Sequence, residues 1–303
     1  MRAILAGCFG AFWAVFIPIL LVLFAYNTQI FLKGGKTDRY ICVFDCETVP
    51  DADDLRRVYN YSGDDLAVCK RAIEERKQSV GNGFLSVCFH KVVAISAVLA
   101  SIDGSFKRVS TIEGESERER IAKFLDFLQK KKPLLVSYNG RGFDLPMLMM
   151  RAMKYNLNAA AYYDIKDKWS NYRARYDIAH HIDLLEQFCE FGATSRMGLN
   201  EVCNCLALPG KTSVSGEDVL ELFYQNKTAQ INEYCESDTL NTYWLFLKFS
   251  LLRGAISVES YRFNLEKMSE FLAQKKVAYA EIFEVYLQNE LKRLDADFGG
   301  RLL

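Results

Sequence analysis

The chain has 303 residues, half of them hydrophobic, enough for a core in one or two domains. Its 38 basic and 38 acidic residues cancel to a formal net charge of +0, which excludes a molecule-wide affinity for nucleic acid or anionic lipid. The 9 cysteines are odd in number and lack paired spacing, which excludes a disulfide framework and suits a reducing compartment.

Residues 3–26 carry no charge and are long enough to cross a bilayer as a helix. Lys33, Lys36 and Arg39 follow this segment and only Arg2 precedes it. The positive-inside rule then expects a cytoplasmic chain anchored to the inner face of the membrane. A cleaved signal peptide fits less well, because the charged leader is minimal and no Ala-x-Ala site follows. A third reading makes residues 1–36 a start-site artefact.

Residues 39–45 predict a first strand. Residues 51–80 are charged and predict a helix in their second half, ended by Gly81 and Gly83. Residues 92–100 and 106–112 flank the turn Asp103-Gly104-Ser105 and predict a hairpin. Ile121, Phe124, Leu125 and Leu128 give helical spacing over 115–131. A short buried strand at 134–138 leads through Asn139-Gly140-Arg141-Gly142 into another helix. A strand is expected at 182–185, and a helix over 229–249. After Ser257 a stripe of Phe271, Leu272, Tyr279, Ile282, Phe283, Tyr286 and Leu287 predicts a docked helical tail. Cys42, Cys46, Cys88 and Cys235 read as small core residues. The order predicts an α/β fold with an antiparallel start and parallel additions, and ligands at the carboxyl ends of the strands.

In "YICVFDCETVP" the side chains of Asp45 and Glu47 share a strand face. Alone, this pair also fits a strand end in water. Asp144, in "YNGRGFDLP", also suits a helix N-cap ahead of Leu145-Pro146. Tyr234 and Asp238 lie one helical turn apart, which also suits an ordinary amphipathic helix. Four acids from three elements converging on one cleft need divalent cations. Such hard oxygen ligands suit two Mg²⁺ or Mn²⁺ ions. Cys203, Cys205, His180 and His181 have poor spacing for zinc. Lys166, Lys168, Arg173 and Arg175 interleave with Trp169, Tyr172 and Tyr176. That suits a single strand of nucleic acid, or a solvated segment with its rings packed inward.

The segments Phe44 to Thr48, Asn139 to Asp144 and Tyr234 to Asp238 resemble the three motifs of the DEDDy 3′–5′ exonucleases, in the DnaQ-like, ribonuclease H-like superfamily. "HKVVAISAVL", "KWSNYRARYD", "HIDLLEQF" and "FGATSRMGLNEVC" narrow the resemblance to the predicted PolB-like 3′–5′ exonucleases. It covers about residues 38–254. It implies a ribonuclease H-like mixed five-stranded sheet flanked by helices, after an N-terminal hydrophobic helix and before a helical C-terminal tail. Domains are expected at 1–36, 37–254 and 255–303.

By this resemblance Asp45, Glu47 and Asp238 hold one ion, and Asp45 bridges to a second that Asp144 supports. Tyr234 orients the attacking water rather than acting as a base, because its ordinary pKa is near 10. Asn139 and Phe143 touch the terminal nucleotide, with Trp169, Arg173 and Arg175 as further contacts. The expected partner is a single-stranded 3′ end, DNA in the first place. Nothing in the sequence reports on a 2′-hydroxyl. No polymerase motif accompanies these residues, so proofreading in cis is not expected. No protein partner is deducible. A catalytically silent nucleic-acid-binding or membrane-tethered scaffold, and a phosphoesterase of small nucleotides, are the competing readings.

Overall fold

The first strand, β1 (Tyr40–Pro50), runs five residues past the expected end at 45. It does so because β2 (His90–Ser101) pairs with it antiparallel along its whole length. A computed structural model describes residues 39–211 and 216–298 of the chain. The expected N-terminal hydrophobic helix lies outside the described residues. Among the described residues no helix is long and apolar enough to cross a membrane.

Five strands form one mixed sheet in the order β3-β2-β1-β4-β5. β3 (Phe106–Thr111) completes the expected hairpin. At its turn Gly104 takes a positive φ of 92°, and Ser105 N–H donates to Asp103 Oδ1 at 3.0 Å. β4 (Leu134–Ser137) and β5 (His181–Asp183) add in parallel. The strand expected at 182–185 stops at Asp183. There the carboxylate accepts the N–H groups of Leu185 and Glu186 and starts α6 (Leu184–Phe188).

Two helices fill residues 51–80 where one was expected. These are α1 (Ala52–Tyr59), capped by Asp51, and α2 (Asp65–Val80), capped by Asp64. α3 (Glu117–Lys131), α4 (Asp144–Lys154) and α5 (Ala160–Tyr163) precede β5. After α6 come α7 (Leu199–Cys205), α8 (Val219–Tyr224), α9 (Thr228–Leu252), α10 (Val258–Leu272) and α11 (Ala278–Phe298).

Alternation along β1 sorts the layers. Ile41 and Val43 join Val98, Val136, Leu240, Trp244, Leu265 and Phe283 in the core under α9 to α11. Cys42, Phe44 and Cys46 join Ile95, Leu125, Leu135 and Leu148 under α3 and α4. The tail stripe docks through Leu272, Tyr279, Phe283 and Leu287, while Ile282 stays exposed. Cys42, Cys46 and Cys235 are buried as expected, whereas Cys88 is exposed.

One mismatch in this sheet opens the site. β4 pairs with β1 only over Ile41, Val43 and the residue between them. Beyond Val43, β1 continues beside β2 alone, and the register shifts between Glu47 and Thr48. Asp45 and Glu47 lie in this stretch, at the carboxyl end of the parallel strands.

Candidate active site

The face of β1 that buries Ile41 and Val43 continues as Asp45 and Glu47. Asp45 is partly exposed and Glu47 is buried. Facing them is the N-terminal half of α9. Its 3.6-residue period puts Tyr234 and Asp238 on one side, both buried. The Tyr234 hydroxyl donates a hydrogen bond to the Asp238 carboxylate. Asp144 is the first residue of α4; the cap position is Phe143, so Asp144 is not the N-cap. Its carboxylate instead accepts from its own N–H and from Cys46.

The structure thus brings all four expected acids together. Ligand atoms of Asp45, Glu47 and Cys235 lie within 4.8 Å of one another. Burial first, then the charges of Asp144 and Asp238, push the Asp45 carboxyl well up. Burial, then Asp45, Asp238 and Asp144, do the same to Glu47. Burial raises Asp144 to about 7 and Asp238 to about 6. Burial, then Asp238 and Glu47, hold the Tyr234 phenol far above its ordinary value. Tyr234 therefore keeps its proton at neutral pH and donates a hydrogen bond to Asp238. Among the described residues none of the four carboxylates joins an ion pair. Hard oxygen donors, three of them buried and Asp45 partly exposed, fit divalent cations.

Four participants escaped the sequence reading. Lys211 supplies the positive charge felt by Glu47 and Asp238. Cys235 reaches into the acid group and donates its thiol hydrogen to the Asp45 carbonyl at 3.5 Å. Asp183 is buried and ties down the Asn139–Gly142 turn. Its two oxygens accept Asn139 N–H at 2.9 Å and Arg141 N–H at 2.8 Å. Arg196 donates to the Asn139 side-chain oxygen. None of these has a local signal, since each acts on residues far off in the chain, from 27 positions for Lys211 and Asp238 to 190 for Cys235 and Asp45.

The expected substrate contacts divide. Phe143 packs beside the acids, its ring 4.9 Å from those of Phe84 and His90. In the 166–176 segment Tyr172 turns inward and donates to the Pro133 carbonyl at 2.7 Å. Trp169 is 76% exposed, with Lys168 Nζ 5.1 Å from its ring centre. Arg173 lies over Tyr163 at 4.9 Å, whereas Arg175 is engaged by Glu186 at 2.8 Å. Arg141 joins this segment to the motif turn by donating to the carbonyls of Tyr172 and Arg173. The zinc alternative gains nothing, because His181 pairs with Ser137 and His180 with Asp177.

A family model described as a predicted 3′–5′ exonuclease related to the exonuclease domain of PolB matches residues 82–289, more than half of the chain. The match takes in Asp144, Tyr234 and Asp238 and continues past residue 254 into α11. Asp45 and Glu47 lie ahead of it and are joined to the site by geometry alone. A solved family B DNA polymerase from the hyperthermophilic archaeon Pyrobaculum calidifontis is similar at 19% identity and a TM-score of 0.42. That alignment covers 80% of this chain and 30% of the polymerase. No curated protein matches.

Proposed function

The chain belongs to the predicted 3′–5′ exonucleases related to the exonuclease domain of PolB, and from that premise we propose that it is a metal-dependent exonuclease. It removes nucleotides from a single-stranded 3′ end, DNA in the first place, on a ribonuclease H-like fold. The observation that carries this reading is the convergence of four carboxylates from β1, α4 and α9, three of them buried, in one cluster with no ion pair among the described residues.

Asp45, Glu47 and Asp238 would hold one divalent ion, and Asp45 with Asp144 a second, either Mg²⁺ or Mn²⁺. When bound, two such ions neutralise the carboxylates, polarise the scissile phosphate and ease deprotonation of the attacking water. The protein's own part is positional. β1 fixes Asp45 and Glu47 by burying the residues before and after them. Tyr234 keeps its proton, holds Asp238 by a hydrogen bond and orients the water without taking its proton. Lys211 gives the phosphate a cation on the α9 side. Asn139, Phe143, Trp169 and Arg173 border the path of the strand.

The test is an assay of the purified full chain on 5′-labelled single-stranded DNA and RNA, with Mg²⁺, with Mn²⁺ and with chelator. A ladder shortened from the 3′ end, seen only with metal and absent from Asp238→Asn prepared identically, is expected. Undegraded oligonucleotides, or a ladder that persists in chelator, would count against the reading.

A further inference from the structure

The turn between β2 and β3 and the first two turns of α10 enclose a cavity of about 260 Å³ that the mechanism above does not use. Asp103, Ser105, Glu259, Ser260, Phe263 and Asn264 line it. It lies toward the other end of the sheet from the acids. Ser101, just before the turn, pairs with Tyr40, and Asp45 lies roughly 16 Å farther along β1.

The walls are held in place. Gly104 N–H donates to the Ser101 carbonyl, and Ser101 N–H to the Ser105 carbonyl, each at 2.9 Å. The Gly104 carbonyl accepts from the Tyr243 hydroxyl at 2.8 Å, which ties the turn to α9. A Cβ on Gly104 would meet Asn264 Nδ2 at 3.2 Å, so the turn lies directly on that amide. Asn264 is 2% exposed, and its side-chain oxygen is buried without a hydrogen-bond partner among the described residues. A buried acceptor left unmade is costly, and the cavity is where a donor can reach it.

The surroundings select the charge of that donor. Neither Asp103 nor Glu259 joins an ion pair among the described residues. The Ser257 side chain and its own N–H hold the Glu259 carboxyl below its ordinary range, so it is negative at neutral pH. The cations nearby on α10 are engaged elsewhere. Lys267 pairs with Glu270 at 2.6 Å, and Arg262 with Asp295 and Glu266. An anion finds little here, because Ser257 already accepts Ser260 N–H at 3.2 Å and Glu259 answers its own N–H. Beside these acceptors the Phe263 ring is 46% exposed.

We propose that this cavity is a binding site for a guanidinium group, carried by an arginine side chain of a partner protein or by a free guanidinium compound. The cavity is smaller than the roughly 300–1,000 Å³ of sites for drug-sized ligands. It is far larger than the share of one water, about 30 Å³. A group the size of a side chain fits it better than a bare ion. Guanidinium is flat, weakly hydrated and carries five donors with no acceptor. Those donors answer the Asn264 oxygen and both carboxylates, and the flat face lies against Phe263. An ammonium is a compact, strongly hydrated point charge with only three donors, so it makes fewer of these contacts. The cavity and the four acids share no residue, so this site is independent of the exonuclease reading.

The test is calorimetric titration of the full chain with the peptide acetyl-Gly-Arg-Gly-amide, with agmatine, and with the same peptide carrying lysine for arginine. A guanidinium ligand should bind at one site, more weakly at high salt, and the lysine peptide should bind at least about threefold more weakly. Asp103→Asn and Glu259→Gln keep an acceptor oxygen in place and should each weaken binding roughly 3- to 10-fold. Phe263→Ala should weaken it about 2- to 5-fold, and Asn264→Leu about tenfold. Glu259 and Phe263 are exposed enough for their variants to fold even where Asn264→Leu does not. Tighter binding of the arginine peptide assigns the site to a partner protein, and tighter binding of agmatine to a free compound. No binding of either, a lysine peptide that binds equally well, or affinities unmoved by Glu259→Gln and Phe263→Ala would overturn the proposal.

Discussion

Tyr234 and Asp238 sit one turn apart on α9, yet their substitutions should differ sharply. Asp238→Ala or Asp45→Ala removes a carboxylate that the proposed ions would need and should lower kcat on the order of 10³-fold. Tyr234→Phe removes one hydrogen bond to Asp238 and should cost about tenfold. Equal losses in folded proteins would make the tyrosine indispensable and the division of labour wrong. The same carboxylates set a pH signature in chelator. Asp144 rises to about 7 and Asp238 to about 6, above their unfolded values. A raised carboxyl binds its proton better in the fold, so stability is fully present below about pH 4 and is lost as pH climbs toward 7. Buried His181, lowered to about 3, and His90, also lowered, gain stability over the same window, so the metal-free chain should lose Tm relative to the Mg²⁺-loaded chain as pH rises. Glu47→Gln should soften the loss. A gap between the metal-free and metal-bound Tm that stays constant from pH 4 to 7 would contradict the cluster's repulsion. The five central residues were legible because three spaced motifs reinforced one another. Lys211 was not, because a lysine after Pro209-Gly210 looks like any surface lysine until α9 folds beside it.

At the scale of elements, α4 must hold Asp144 at its first position, and Arg151 two turns later is its anchor. Arg151 is 2% exposed and bidentate to Glu117, donating through Nε at 2.7 Å and Nη2 at 2.5 Å. Its Nη1 reaches Asp51 at 2.8 Å and Asp54 at 3.1 Å. Glu117 also accepts Val92 N–H at 2.7 Å, so α1, α3, α4 and β2 meet at one guanidinium. Glu117→Ala leaves that cation buried with fewer partners and should cost about 3–5 kcal/mol, read from the denaturant midpoint. A loss below 1 kcal/mol would mean that Asp51 and Asp54 suffice. None of this showed in the sequence. Glu117 lies in the charged run "ESERER" and Arg151 reads as the polar side of an amphipathic helix. The strands and α3 were legible because apolar residues repeat there with a clean period. α1 was not, since in "ADDLRRVY" only Ala52 and Leu55 are buried.

At the scale of the molecule, the residues after Gly254 close the core rather than decorate it. α9 is buried nearly all round, with Tyr243 and Trp244 at 0% exposure, because α10 and α11 cover the side away from the sheet. A helix covered on every side has no polar face to reveal its docking, so the sequence showed a tail stripe without its seat. The contacts are polar as well as apolar. Trp244 Nε1 donates to the Tyr261 hydroxyl at 2.8 Å, which donates to Glu290 at 2.8 Å, and Lys248 closes the chain at 2.6 Å from Glu290. Nearer the acids, the Tyr279 hydroxyl donates to Glu236 at 2.5 Å, and Glu236 also accepts Thr111 N–H at 2.9 Å. Glu236 lies between Tyr234 and Asp238, so α11 braces the turn of α9 that carries them. Each large side chain stripped of its cover forfeits about 1.5–3 kcal/mol. Trp244, Tyr243, Leu247 and Phe106 together exceed the lower end of a domain's whole stability, about 5–15 kcal/mol. A chain ending at Gly254 should therefore aggregate or melt without a cooperative transition, and should not degrade DNA. Tyr279→Phe in the full chain should stay folded with a slightly lower Tm and a reduced kcat. Should the chain ending at Gly254 unfold cooperatively at the unaltered midpoint, the tail would be an appendage and the brace on α9 would have no energetic weight.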